Sequence, residues 1–275
     1  MPRRILCLLF SAFSLLFFPG APEEEVVLPI LMYHDVRWED PGKDAVTPEE
    51  LRADLLWLRE QGYRAVTMAQ VIAFVDGGTL LPEKPIVLSF DDGYYSAYDR
   101  VLPLLRELET PMVLSVIAGS ADEFSAYRPG KARPAHAAWP RLRELADSGL
   151  VELQNHSYGL HHGGSGLWGC DRLPGESRGA YAERLAADVL LAQERIWTET
   201  GQKPAVFTYP YGRYGIESEE ALRELGFRAT FTCDFGVNLL RREEDCLFGL
   251  RRICRSHGAD LAALLEEAQA TLKRR

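Results

Sequence analysis

Apolar residues fall in short runs along this chain, and most runs end in a polar cluster followed by an amphipathic stretch. Residues 86–90 (IVLSF) form one such run. It is too short for a helix and is bounded by Pro85 and by Asp91-Asp92-Gly93, so a strand buried on both faces is expected. Comparable runs at 26–33, 65–67, 112–117, 151–154, 205–208, 229–233 and 250–255 predict further strands. Between them lie helix signals. Thr47-Pro48-Glu49-Glu50 supplies an N-cap, a proline at N1 and a capping box, Leu51, Leu55, Leu56 and Leu58 an apolar face, and Gly62 an end. Thr67 caps the next helix, which runs through Val75. Further helices are expected over 96–108, 139–146, 180–198, 218–225 and 261–272, and loops over 119–138 and 163–176.

Strand, polar cluster and helix recur about seven times, an order that argues an α/β fold with parallel strands. For 275 residues, one barrel rather than two domains is expected. Sites in barrels collect at the C-terminal ends of the strands, so the polar clusters are where chemistry is sought.

Composition narrows the class. An apolar fraction of 47% and a charged fraction of 26% are globular values. A net charge of −9 without a basic stripe excludes a nucleic-acid partner. Arg3 and Arg4 precede an apolar run over 5–18 that is short for a membrane span and suited to a signal sequence. No A-x-A cleavage pattern follows it. Residues 1–21 are therefore expected to be a signal peptide or an N-terminal membrane anchor, 22–26 a linker and 27–275 the folded domain. The domain is then secreted or held at the cell surface, with membrane association through the N-terminal segment in the second case. Beyond that segment stand Cys170, Cys233, Cys246 and Cys254. Export permits disulfides among them, although a chain of this length does not require them.

Two clusters carry candidate chemistry. Asp91 and Asp92 are adjacent at a strand end, where neighbouring side chains point to opposite sides. Two carboxylates so close repel unless a cation or a shared proton intervenes, so one can hold a cation while the other moves protons. A solvated Asp-Asp-Gly turn is the plain alternative. His156 and His161 follow the 151–154 strand at a spacing that does not share a helix face, so they converge from a loop. Two imidazoles and a carboxylate leave open positions on a divalent cation, as catalytic metals require. His162 reads as a rim histidine. His34 ends the first strand, as a site residue or a hydrogen-bonded structural one.

Taken together these residues resemble the polysaccharide deacetylase family, the NodB-homology domain of carbohydrate esterase family 4. Ser89-Phe90-Asp91-Asp92-Gly93 resembles its first motif, the segment from His156 to Gly163 its second and Tyr209-Pro210-Tyr211-Gly212 its third. The five-residue histidine spacing and Pro29-Ile30-Leu31-Met32-Tyr33-His34 are similar to the branch that de-N-acetylates poly-β-1,6-N-acetylglucosamine. The likeness covers about residues 27–257. It implies a distorted (β/α)7-type barrel and a metal-dependent hydrolase of the acetamide of N-acetylglucosamine units in a cell-surface or cell-wall polymer. Peptidoglycan or chitin-type oligosaccharides are the alternative substrates, and a catalytically inactive carbohydrate-binding protein is the alternative class. Asp91 would be the general base, Asp92, His156 and His161 the ligands of a zinc ion (or of cobalt, nickel or iron), and Tyr209 to Gly212 the substrate and oxyanion contacts. His257, after the last strand, would be the catalytic acid.

The resemblance is incomplete at three places. Thr208 stands where the family has the arginine that tethers the base, with Arg213, Arg251 and Arg252 as possible substitutes. The fourth motif is missing, with Asp234 roughly in its place. The strand before His257 is more polar than the family's.

Overall fold

In a computed structural model the chain is described over residues 25–126, 135–161 and 169–274. The expected signal or anchor over 1–21, and His162, lie outside the described residues. Seven parallel strands close into a barrel: β2 (Ile30–Tyr33), β6 (Pro85–Phe90), β7 (Met112–Val116), β8 (Val151–Asn155), β9 (Val206–Thr208), β10 (Ala229–Phe235) and β12 (Leu250–Cys254). Closure comes from β2, which pairs with β12 on one edge and with β6 on the other. A short β5 (Arg64–Ala65) adds to the start of β6. Proline at 29 breaks the first apolar run. The residues before it, β1 (Val26–Leu28), pair antiparallel with β11 (Asn238–Leu240), and β3 (Asp35–Val36) pairs with β4 (Ala45–Val46) beyond its far end.

The helices α1 (Pro48–Glu60), α2 (Met68–Val75), α3 (Leu102–Leu108), α4 (Ala118–Ala126), α5 (Trp139–Asp147), α6 (Arg178–Thr200), α7 (Ile216–Glu224) and α8 (Leu261–Ala270) alternate with the strands. Thr47 makes the capping box read from the sequence, and Thr67, expected as a cap, makes a capping box with Gln70. The expected loop over 119–138 instead begins with α4. Its small residues give no helical period, and Gly119 lets it press on the loop after β8, where an added Cβ would stand 2.4 Å from the Tyr158 carbonyl oxygen.

Strand alternation sorts the core into two layers. On β6, Ile86, Leu88 and Phe90 face the helices, packed with residues of α1, α3 and α5. Val87 faces inward, in a cluster with Val113, Val206, Phe231 and Leu250 that α2 closes at the N-terminal end of the barrel. Above this apolar floor the inward positions turn polar: Ser89, Ser115, Thr208 and Arg252, all buried. The next inward position on β6 is Asp91, and on β8, after Gln154, it is His156. The four described cysteines, Cys170, Cys233, Cys246 and Cys254, are free thiols. Among the described residues no helix is long and apolar enough to cross a membrane.

Candidate metal and catalytic site

Asp91 ends the inward row of β6 and is buried. Across the barrel Arg252, completely buried on β12, donates from Nη1 to Asp91 Oδ1 at 2.8 Å. The same guanidinium is fixed by Thr232 O on Nε at 2.8 Å and by Ser89 Oγ on Nη1 at 3.2 Å. Of the three arginines named from the sequence, Arg252 is the one that reaches the aspartate. Arg213 instead lies 3.4 Å from Asp171. Thr208 is too short for the task and shares a 2.7 Å hydrogen bond with Ser115. Burial pushes the Asp91 carboxyl up, but the charges of Arg252 and His156 and the Arg252 hydrogen bond together more than offset this and hold it below the usual carboxylate range. Asp91 is thus a buried anion with its orientation set.

Asp92 departs from the strand. Its φ of 70° is left-handed, an uncommon state for a residue with a side chain, and it aims the carboxylate away from Asp91's partner. Oδ1 of Asp92 stands 3.3 Å from His156 Nε2 and 3.4 Å from His161 Nε2. These contacts lack hydrogen-bond geometry, and Oδ1 is buried with no hydrogen-bond partner. Such an orphaned anionic atom is costly unless a cation completes it. The spacing fits one. Ligands about 2.0–2.1 Å from a tetrahedral ion stand about 3.3–3.4 Å apart.

The histidines are held in the ligating state. His156 Nδ1 lies 2.8 Å from the Thr208 carbonyl, so Nδ1 carries the proton and Nε2 offers its lone pair. Burial alone would lower His156, yet the Asp92 carboxylate raises it above its ordinary value, so a proton competes with a cation there. Burial and the neighbouring His156 push His161 down to about 4, leaving it neutral. Its ring lies 4.2 Å from that of Tyr211, whose hydroxyl donates to the His161 carbonyl at 2.6 Å. The intervening loop is pinned from α6: Asp188 Oδ1 and Oδ2 accept from the Tyr158 and Gly159 N–H groups at 2.8 Å each. Among the described residues, Asp92, His156 and His161 are the group able to hold a metal ion.

The other expected site residues take these positions. Tyr209 has the outward parity of Phe207, is completely buried and packs between Phe207 and Tyr214 at ring distances of 5.6 and 4.9 Å. It supports the turn. Pro210 is buried too, and Gly212 lets the turn press on Cys233, 2.6 Å from an added Cβ. Tyr211, with a left-handed φ of 58°, is the member of the turn that faces the site. His257 lies on the turn after β12, with Nδ1 2.9 Å from Glu50 Oε2 at the start of α1. It is tied to a helix cap rather than to the aspartates. Asp234, near the end of β10, accepts from the Tyr214 hydroxyl at 2.8 Å.

The structure also brings two further histidines to the aspartates, His34 and His136. His34, following the inward Ile30 of β2, lies close enough for its charge to act on both Asp91 and Asp92. His136 stacks on Tyr94 at 4.9 Å, and its Nδ1 lies 3.0 Å from the Asp92 carbonyl. The strand-end parity of His34 was readable in advance, whereas nothing in the sequence around His136 marks it.

Comparisons with known proteins follow the same lines. The sequence profile described as polysaccharide deacetylase matches residues 80–230. The poly-β-1,6-N-acetyl-D-glucosamine N-deacetylase of Escherichia coli (strain K12) is 35% identical over 230 residues, which cover 75% of this chain and 34% of that protein. The chain thus spans about a third of the length of that relative. Among solved structures, a de-N-acetylase from Aggregatibacter actinomycetemcomitans superposes with a TM-score of 0.70 at 26% identity, covering 82% of this chain and 94% of that one. IcaB from Ammonifex degensii does so with a TM-score of 0.68 at 26% identity, covering 86% and 94%.

Proposed function

Since this chain belongs to the polysaccharide deacetylase family, we propose that it hydrolyses the acetamide of N-acetylglucosamine units in poly-β-1,6-N-acetylglucosamine, releasing acetate and leaving a glucosamine residue. The observation that carries the reading is one buried anion locked by Arg252 beside a second whose orphaned oxygen faces two imidazole nitrogens. A binding module needs neither. The substrate assignment draws on the similarity to the Escherichia coli protein and on the histidine spacing, and the export of the domain on the N-terminal sequence.

Asp92, His156 and His161 would hold a divalent cation, zinc by the chemistry of the donor set. Such an ion polarises a carbonyl and lowers the pKa of water. The chain's own groups supply the rest. Asp91 Oδ accepts the proton of the attacking water as general base, and Arg252 keeps it ionised and aimed. The Tyr211 N–H, on the left-handed turn over His161, faces the developing oxyanion. His34 protonates the leaving amine, because it shares the reach of both aspartates. Placing the acid there instead of at His257 predicts that His34→Gln lowers kcat by about a hundredfold or more. His257→Gln would leave kcat within about threefold, since its partner Glu50 is a cap residue. Equal losses would reverse the assignment.

The reaction is tested by acetate release from β-1,6-linked N-acetylglucosamine oligomers with and without a chelator. Release should stop on chelation and return with zinc. Chelator-insensitive release would overturn the metal reading, and release from peptidoglycan alone would overturn the substrate.

A further inference from the structure

We propose that a cleft beside the catalytic mouth, walled by Trp38, is a subsite for a neighbouring hexosamine ring of the polymer. The inference rests on the function proposed above and adds where the rest of the chain lies. Trp38 stands between β3 and β4 and is 61% exposed. An exposed indole forgoes the stabilisation that burial would bring. One exposed apolar residue is ordinary in itself, and the cleft that Trp38 borders is what gives it a role.

Trp38 borders a cleft of about 370 Å³ whose other walls include Asp35, Arg37, Glu39, Tyr95 and Arg100. That volume is at the small end of ligand sites, about 300–1,000 Å³, and suits one sugar ring.

Three separate segments of the cleft wall run on into residues at or beside the site. Asp35 follows His34. Tyr95 follows Tyr94, on which His136 stacks beside Asp92. Ala135, also in the wall, precedes His136.

The floor is built before any ligand arrives. Asp35 Oδ1 accepts from Ser96 Oγ at 2.5 Å and from Val36 N at 2.8 Å, and Oδ2 from Arg37 Nε at 2.7 Å. Arg100 donates to the Val36 carbonyl. A flat apolar face beside fixed charged groups matches a hexosamine, which offers C–H groups on its ring faces and hydroxyls and nitrogen at its edge. A second cleft of about 310 Å³ on Trp38 is lined by Arg52, Arg100 and Glu107 among others. Its wall lacks Asp35, Tyr95 and Ala135, the residues that adjoin the site, so it is not the path.

The test compares wild type, Trp38→Ala and Trp38→Phe on β-1,6-linked N-acetylglucosamine oligomers from the single sugar upward. For the longer oligomers Trp38→Ala should raise KM about three- to tenfold, the scale of one aromatic contact, with kcat within twofold. The single sugar should show no change, and Trp38→Phe should recover most of the loss. An equal effect at every length, or none at any, overturns the subsite. A parallel binding arm uses the deacetylated β-1,6-glucosamine oligomer and reads affinity by calorimetry. If wild type releases no acetate from any oligomer, the proposed reaction fails. Weaker oligomer binding by Trp38→Ala than by Trp38→Phe still upholds the subsite, and identical or undetectable binding by both sinks it.

Discussion

At the scale of single residues, the two aspartates that stand side by side in the sequence have opposite environments. Asp91 has a guanidinium at 2.8 Å, while Asp92 has an orphaned oxygen facing two histidines. The difference arises from one backbone angle, the left-handed φ at Asp92. It predicts that Asp91→Asn keeps bound metal and loses turnover, whereas His156→Ala loses the metal, as read by metal content after dialysis. The Arg252 contact predicts a pH effect with a definite sign. In Arg252→Gln the strongest lowering charge is gone, and burial, the largest influence on Asp91, is opposed by the histidine charges alone. The carboxyl rises, less of it is ionised at a given pH, and the acid limb of kcat/KM moves to higher pH. A limb that stays in place would mean that Arg252 does not set the base. That an arginine was needed was legible from Thr208. Which arginine was not, because Arg252 acts from β12, two strands round the barrel from β6.

At the scale of elements, the metal loop after β8 depends on a helix that supplies none of the ligands. Asp188 on α6 accepts from two consecutive N–H groups between His156 and His161. Supporting contacts of this kind are worth about ten- to a hundredfold in metal affinity. Asp188→Asn should therefore weaken zinc binding by about that factor, measured by competition with a chelating dye, with the far-ultraviolet circular dichroism unchanged. Unaltered affinity would show that the loop holds itself. Asp122 fastens the other side, accepting from Trp139 Nε1 at 2.6 Å and the Tyr158 hydroxyl at 3.1 Å and pairing with Arg195. It sits on α4, the helix absent from the periodic pattern, since a Gly- and Ala-rich stretch owes its helicity to what it packs against.

For the whole molecule, a cation bound only by the folded state adds its binding energy to stability. At a hundredfold excess over Kd this amounts to about 2.7 kcal/mol, or a rise of about 5–10 °C in Tm for a domain of this size. The rise should be absent in Asp92→Asn, as scanning calorimetry would show. It should also shrink as pH falls, because the raised His156 binds a proton where the ion belongs. A metal-independent Tm would mean that the three residues form no site.

Local order determined much of this protein in advance. Short apolar runs bounded by turn residues became the parallel strands, and the two threonine caps became helix starts. The alternation that buries Val87 carries Asp91 inward, and the one that buries Phe207 carries Tyr209 outward. These features depend on neighbours a few residues away, which a sequence displays. Closure of the barrel decided the rest. It delivered Arg252 to Asp91, brought His34 in and left His257 on Glu50. Those choices depend on which strands become neighbours across the barrel, a distance in space that no spacing along the chain encodes.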